Sequence, residues 1–236
     1  MSPSLVFLPG WCLGRGPLLD AVRGLEGTFL DLPGYLDSPR CSDFSAAVAQ
    51  IGAHLPSSCA LAGWSIGAQL ALAVAARYPD KVNKLLLVAG TASFVQREGW
   101  PHAMPSGTLA EFTAAISADP AGMLPRFVGG FNRGDTYAKE VTRRILETAD
   151  ALPPNDVLAD GLAWLRDVDL RATAAQIKVP TRLIHGAADP LMPLAAAEAL
   201  TALIPGAQLQ SMPGCAHAPF LSRPEAFLGY ARAFLA

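Results

Sequence analysis

Cys59-Ala60-Leu61-Ala62-Gly63-Trp64-Ser65-Ile66-Gly67-Ala68-Gln69-Leu70-Ala71 is the stretch on which the reading of this chain turns. It divides into three pieces. Residues 59–62 form a short apolar run that suits a buried strand, and residues 66–77 continue as a helical pattern with no charge before Arg77. Between them, Gly63-Trp64-Ser65-Ile66-Gly67 has the form G-x-S-x-G. A chain of this composition carries that pattern by chance roughly one time in ten, so the pentapeptide alone is modest evidence. Its setting adds much more. A strand leading in and a helix leading out predict a sharp turn that lifts the Ser65 hydroxyl above a sheet edge. The glycines relieve crowding there, and the helix N-terminus favours developing negative charge.

Working outward, β-rich runs occur at 5–8, 28–32, 59–62, 84–88, 181–185 and 208–212. They alternate with helical patterns at 17–25, 43–54, 66–77, 195–204 and 224–235. Ser42 is expected to cap the second helix and Pro224 to open the last. This rhythm predicts an α/β fold, a mostly parallel central sheet flanked by helices. Most strands run into Gly or Pro-Gly, at Pro9-Gly10, Pro33-Gly34, Gly63, Gly90, Gly186 and Pro213-Gly214. They mark the strand ends where ligands bind in such sheets. Residues 91–171 break the pattern with helical pieces at 108–118, 121–131, 136–148 and 157–165. The expected organisation is a single domain over 1–236, with a discontinuous core (1–90 and 172–236) and a helical lid (91–171). An ordinary helical layer on the core is the alternative for some of these helices.

Composition narrows the function. Apolar residues make up 51% of the 236 and charged residues 16%, which fits a globular chain with a large core. The net charge of −2, without runs of like sign, argues against a nucleic-acid surface or an electrostatic membrane anchor. Met1-Ser2-Pro3-Ser4 offers no positive leader, and the apolar run after it is too short for a signal peptide. Residues 55–76 carry no charge but contain Pro56, Gly63, Ser65 and Gly67, so strand, turn and helix explain them better than a membrane span. Cys12, Cys41, Cys59 and Cys215 are scattered and lack zinc-like spacing. Four reduced thiols in a cytoplasmic monomer are expected, with no metal and no cofactor.

A serine hydroxyl needs a base, and the base needs an acid that fixes its tautomer. Of four histidines, His217 follows a predicted strand on a loop near the C-terminus, whereas His54, His102 and His185 suit structural roles. Asp189 follows the strand at 181–185; its competitor Asp31 precedes the serine, and Asp160 and Asp169 fall in the lid. The order Ser65, Asp189, His217 is that of α/β-hydrolases. An oxyanion formed at Ser65 needs two N–H donors, expected from the main chain of Ile66 and of Trp11 after the first strand.

Most of the chain resembles the pimeloyl-[acyl-carrier protein] methyl ester esterases of biotin synthesis. The resemblance rests on Gly10-Trp11, Asp31-Leu32-Pro33-Gly34, Gly63-Trp64-Ser65, Glu98-Gly99-Trp100-Pro101, Leu165 to Arg171 and Ala216-His217-Ala218-Pro219-Phe220. It implies removal of a methyl ester from a pimeloyl chain on acyl-carrier protein. It further implies substrate contacts from Trp11, Trp64, Ser65, Ile66, Phe127, Val128, Gly129, Gly130, Phe131 and His217. Arg126, Lys139 and Arg143 fall at the lid positions that hold the acidic carrier. Residues 121–146 carry five basic and two acidic side chains, a local +3 that suits such a partner.

The chain also departs from that pattern. Pro9 stands where many relatives have His, Ala68 replaces a second glycine after the elbow, and Gly122 occupies a lid arginine position. Pro125 is expected to disrupt its helix. Other readings stay open: a broader carboxylesterase or thioesterase, a triad-based lyase or synthase like the menaquinone-pathway member of this fold, or a non-catalytic relative. An intact triad argues against the last.

Overall fold

A computed structural model describes residues 4–236; Met1-Ser2-Pro3, read above for leader signals, lies outside them. The strands are β1 (Ser4–Leu8), β2 (Thr28–Phe29), β3 (Cys59–Trp64), β4 (Val82–Val88), β5 (Thr181–Gly186) and β6 (Gln208–Met212). All pair in parallel in the order β2-β1-β3-β4-β5-β6. The order reverses between β1 and β3, and at such a switch point the loops leave in opposite directions and open a crevice. Leu8 lies level with Gly63, and Trp64 with Val88, so these strands end at one edge. The core sits on both faces of the sheet, because β3 is buried along its whole length and β1 and β4 along most of theirs.

The helices are α1 (Leu19–Gly24), α2 (Phe44–His54), α3 (Ile66–Arg77), α4 (Ser106–Ala118), α5 (Pro120–Phe131), α6 (Ala138–Thr148), α7 (Asn155–Asp167), α8 (Arg171–Ala174), α9 (Leu194–Leu203), α10 (Pro219–Ser222) and α11 (Pro224–Leu235). The alanine-rich α3 is buried over ten consecutive residues behind the elbow. Helices α4 to α8 fill the interval between β4 and β5. No helix among the described residues is long and apolar enough to cross a membrane.

Several local expectations are corrected. Asp43, not Ser42, caps α2: its carboxylate accepts from Ala46 N at 2.7 Å, while the Ser42 carbonyl accepts the Trp164 indole. The strand expected over 28–32 stops at Phe29: Leu30 N makes one more bond to the Phe7 carbonyl, and Asp31 then turns to pair with Arg15. The helix expected at 17–25 begins as a 3₁₀ turn over Gly16–Leu18. Pro125 does not break α5, which runs through it. It is the sixth of the helix's twelve residues, where its missing N–H forfeits one hydrogen bond while the helix continues on either side.

Candidate active site

Ser65 leaves β3 with φ 60° and ψ −121°, a conformation L-residues avoid. It is held there by its own N–H to the Val88 carbonyl (3.0 Å) and by Ala68 N to its carbonyl (2.9 Å). The motif glycines are steric necessities. A Cβ on Gly63 would lie 2.1 Å from the Gly67 carbonyl oxygen, and one on Gly67 2.4 Å from those of Leu8 and Pro9. Ala68 is accommodated because Gly90 faces it without a side chain. Ser65 is the N-cap of α3, so the Ile66 N–H sits in the unpaired first turn beside the hydroxyl.

His217 and Asp189 are 1% and 4% exposed, and His217 Nδ1 lies 2.7 Å from Asp189 Oδ2. Asp189 Oδ1 accepts the N–H groups of Leu191 and Met192, both at 2.9 Å. Four lone-pair directions on this buried carboxylate therefore meet three donors, and the ion has little freedom to turn. With Nδ1 engaged, Nε2 is the ring nitrogen left for proton transfer. His185 packs behind the pair, its Nε2 on the Met192 carbonyl at 2.7 Å and 3.7 Å from Asp189 Oδ2. Burial pushes its pKa below the ordinary value, so it is neutral at pH 7.

The loop carrying His217 is tied down from several sides. Trp64 Nε1 donates to the His217 carbonyl (2.8 Å), and its ring packs on those of His217 and Phe220. Asp135, buried between α5 and α6, accepts Ala216 N (2.8 Å), Ser222 Oγ (2.8 Å) and Tyr137 N (2.7 Å). Sequence reasoning missed Asp135 because its setting, Gly134-Asp135-Thr136, looks like a surface turn.

A cavity of about 150 Å³ opens over Ser65 and His217. Gly10, Trp11 and Trp64 form its floor, and Leu109, Phe112, Phe127, Phe131, Leu162 and Leu165 reach in from α4, α5 and α7. Phe127 and Phe131, four residues apart, share one helix face. Of the expected substrate contacts, Ile66, Val128, Gly129 and Gly130 are not among the lining residues: the last three lie off the helix face that Phe127 and Phe131 share, and Ile66 is buried behind the elbow. Phe94, Met104, Thr108 and Leu191 also line the cavity and were not foreseen. Trp11 stacks edge-on against Phe112 and Phe127, and its indole donates to the Leu158 carbonyl of α7 (3.0 Å).

The acidic competitors are engaged elsewhere: Asp31 with Arg15, Asp160 with Arg40, Asp169 with Arg171. All four cysteines are free, and the described residues contain no cluster of side chains suited to a metal. Among the cations of α5 and α6 and the turn between them, Arg143 is held by Glu140 and Glu147 (2.6 Å each), whereas Arg126, Arg133 and Lys139 are exposed and form no ion pair among the described residues.

A nucleophile elbow at a sheet switch point, with acid and histidine on the following strand ends, defines an enzyme class. The chain belongs to the alpha/beta hydrolase family, whose model matches residues 5–229. Within it, the chain groups with the pimeloyl-[acyl-carrier protein] methyl ester esterases: the one from Aromatoleum aromaticum is 37% identical, with 94% of each chain covered. A biotin biosynthesis bifunctional protein from Cellvibrio japonicus is 34% identical over 98% of this chain and 47% of its own length. Among solved structures, an esterase from Exiguobacterium antarcticum superposes with a TM-score of 0.86 at 23% identity, covering 99% of this chain and 92% of that one.

Proposed function

We propose that this chain is a serine carboxylesterase that hydrolyses the methyl ester of pimeloyl-acyl-carrier protein in biotin synthesis. The observation that carries the chemistry is that His217, paired with the buried Asp189, lines the same apolar cavity as Ser65. His217 Nε2 takes the Ser65 proton as Oγ attacks the ester carbonyl, and the resulting oxyanion is met by the N–H groups of Ile66 and Trp11. Collapse breaks the bond to the methoxy oxygen, which leaves as methanol with the proton from His217. Water, deprotonated by the same nitrogen, then attacks the acyl-enzyme carbonyl; the bond to Ser65 Oγ breaks, His217 returns the proton to that oxygen, and the acid is released and ionises to the carboxylate. The lining suits a methylene chain, since Ser65, His217 and Thr108 are its only polar side chains. The exposed cations Arg126, Arg133 and Lys139 suit an acidic carrier at the cavity's lid.

The test is mass spectrometry of pimeloyl-acyl-carrier-protein methyl ester incubated with the wild type and with Ser65→Ala. Loss of the ester's extra methylene mass with the wild type alone is expected. Turnover by Ser65→Ala would remove the nucleophile assignment. An untouched carrier substrate, with small esters still cleaved, would leave a serine esterase of another substrate.

A further inference from the structure

Asp31-Leu32-Pro33-Gly34-Tyr35 plays no part in the chemistry above, yet it is joined to the turn that carries Trp11. Asp31 pairs with Arg15 at the end of that turn. Tyr35 is buried, and its hydroxyl accepts the Cys12 N–H at 2.8 Å. Cys12 follows Trp11 directly, so this N–H belongs to the peptide plane joining the two. Cys12 also sits at φ 60°, in the left-handed region that a side chain disfavours. The turn is otherwise closed on itself: Gly10 bridges Gly14, and Leu13 N donates to the Trp11 carbonyl at 2.9 Å.

We propose that Tyr35 is a positioning residue for the oxyanion site, its hydroxyl holding the left-handed Cys12 turn so that the Trp11 N–H stays aimed above Ser65. This rests on the reading of Trp11 N–H as an oxyanion donor. A buried N–H deprived of its acceptor is costly, and a left-handed residue persists only when its surroundings impose it. Without the hydroxyl, both pressures act on the same two residues. The chain then gains by rotating Cys12 toward ordinary backbone angles, which turns the adjoining Trp11 out of line. Burial raises the Tyr35 phenol far above its usual range, so the group remains a neutral hydroxyl at working pH. Substrate contacts come from the Trp11 ring, anchored separately on Leu158, and are left in place.

Tyr35→Phe removes this one atom. Four quantities would be measured: kcat and KM on a p-nitrophenyl ester, affinity for a trifluoromethyl ketone, and affinity for an unreactive alcohol of equal chain length. The ketone forms a tetrahedral oxyanion on the serine; the alcohol only fills the cavity. We expect kcat and ketone affinity to fall together by about tenfold, less than the loss of a whole donor, with KM and alcohol affinity unchanged. In a Cys12→Gly background, where glycine takes positive φ freely, the same change should cost much less. Unchanged kcat and ketone affinity, a parallel loss of alcohol affinity, or an equal cost in both backgrounds would each overturn the brace. Replacing Trp11 by its α-hydroxy analogue, which exchanges the N–H for an ester oxygen, tests the donor itself. Ketone affinity lost there but kept in Tyr35→Phe would reject the brace alone. Affinity kept in both would reject the Trp11 donor.

Discussion

Asp189 shows how one side chain sets the chemistry of another. Its Oδ2 faces His217 and its Oδ1 is bound by two main-chain N–H groups, so it can only accept. Asp189→Asn can place an amide N–H against His217 Nδ1 and so favour the tautomer with its proton on the wrong nitrogen. We expect kcat to fall by about 10⁴-fold with the fold retained, checked by steady-state kinetics alongside circular dichroism. His185 is the opposite case, a histidine kept neutral. Its pKa in the folded chain is depressed below the ordinary 6.5 by burial, with Asp189 and the Met192 carbonyl opposing. The unfolded chain therefore binds the proton first. Stability is full above about pH 6.5 and is lost as pH falls from there toward the folded value. Denaturant midpoints between pH 5 and 8 should show this slope in the wild type and a weaker one in His185→Gln, which keeps a donor for Met192. Equal slopes would mean that His185 is not the group responsible.

Among the secondary elements, the junction of α5 and α6 is joined to the loop carrying His217 through Asp135. Asp135→Ala leaves the Ala216 N–H, the Tyr137 N–H and the Ser222 hydroxyl without their acceptor. A loss of about 3 kcal/mol is expected, read as a lower denaturant midpoint at unchanged slope. A fall in kcat should accompany it, because Ala216 precedes His217. A midpoint equal to the wild type's would show that water replaces the carboxylate. The same residue marks a limit of sequence reading. Most of the strands, the strand–turn–helix around Ser65 and the helical interval between β4 and β5 were legible because each is a local pattern of apolar spacing and punctuation. Asp135 was not, since its partners Ala216 and Ser222 lie 81 and 87 residues away. Phe112 and Leu165 were missed as cavity walls for a related reason: an amphipathic helix announces that it has an apolar face but not what that face meets. Pro125 misled in the other direction: it removes one hydrogen bond from the middle of α5, but Val128 and Phe131 on the following turn are buried in the core and hold the helix together.

For the molecule as a whole, charge is distributed against the average. The chain carries −2 overall, while residues 121–146 carry +3. The fold sharpens that contrast. Asp135 is turned inward onto Ala216 and Ser222, and Glu140 is occupied by Arg143. Arg144 leans toward Asp20 (3.6 Å), so within residues 121–146 Arg126, Arg133 and Lys139 are the cations that form no ion pair among the described residues. If an acidic carrier docks on the lid, these three should matter more than Arg143, whose charge already has two carboxylates beside it. Reversing Arg126 and Lys139 together to Glu should raise KM for the carrier-bound ester by roughly tenfold or more and leave small-ester kinetics alone, because neither residue lines the cavity. Arg143→Glu should do less. Added salt should reproduce the double reversal in the wild type, raising KM for the carrier-bound ester only, and should have little further effect on the reversed variant. Equal losses on carrier-bound and small esters would instead mean that the substitutions disturb the lid itself, and the docking surface would have to be sought elsewhere.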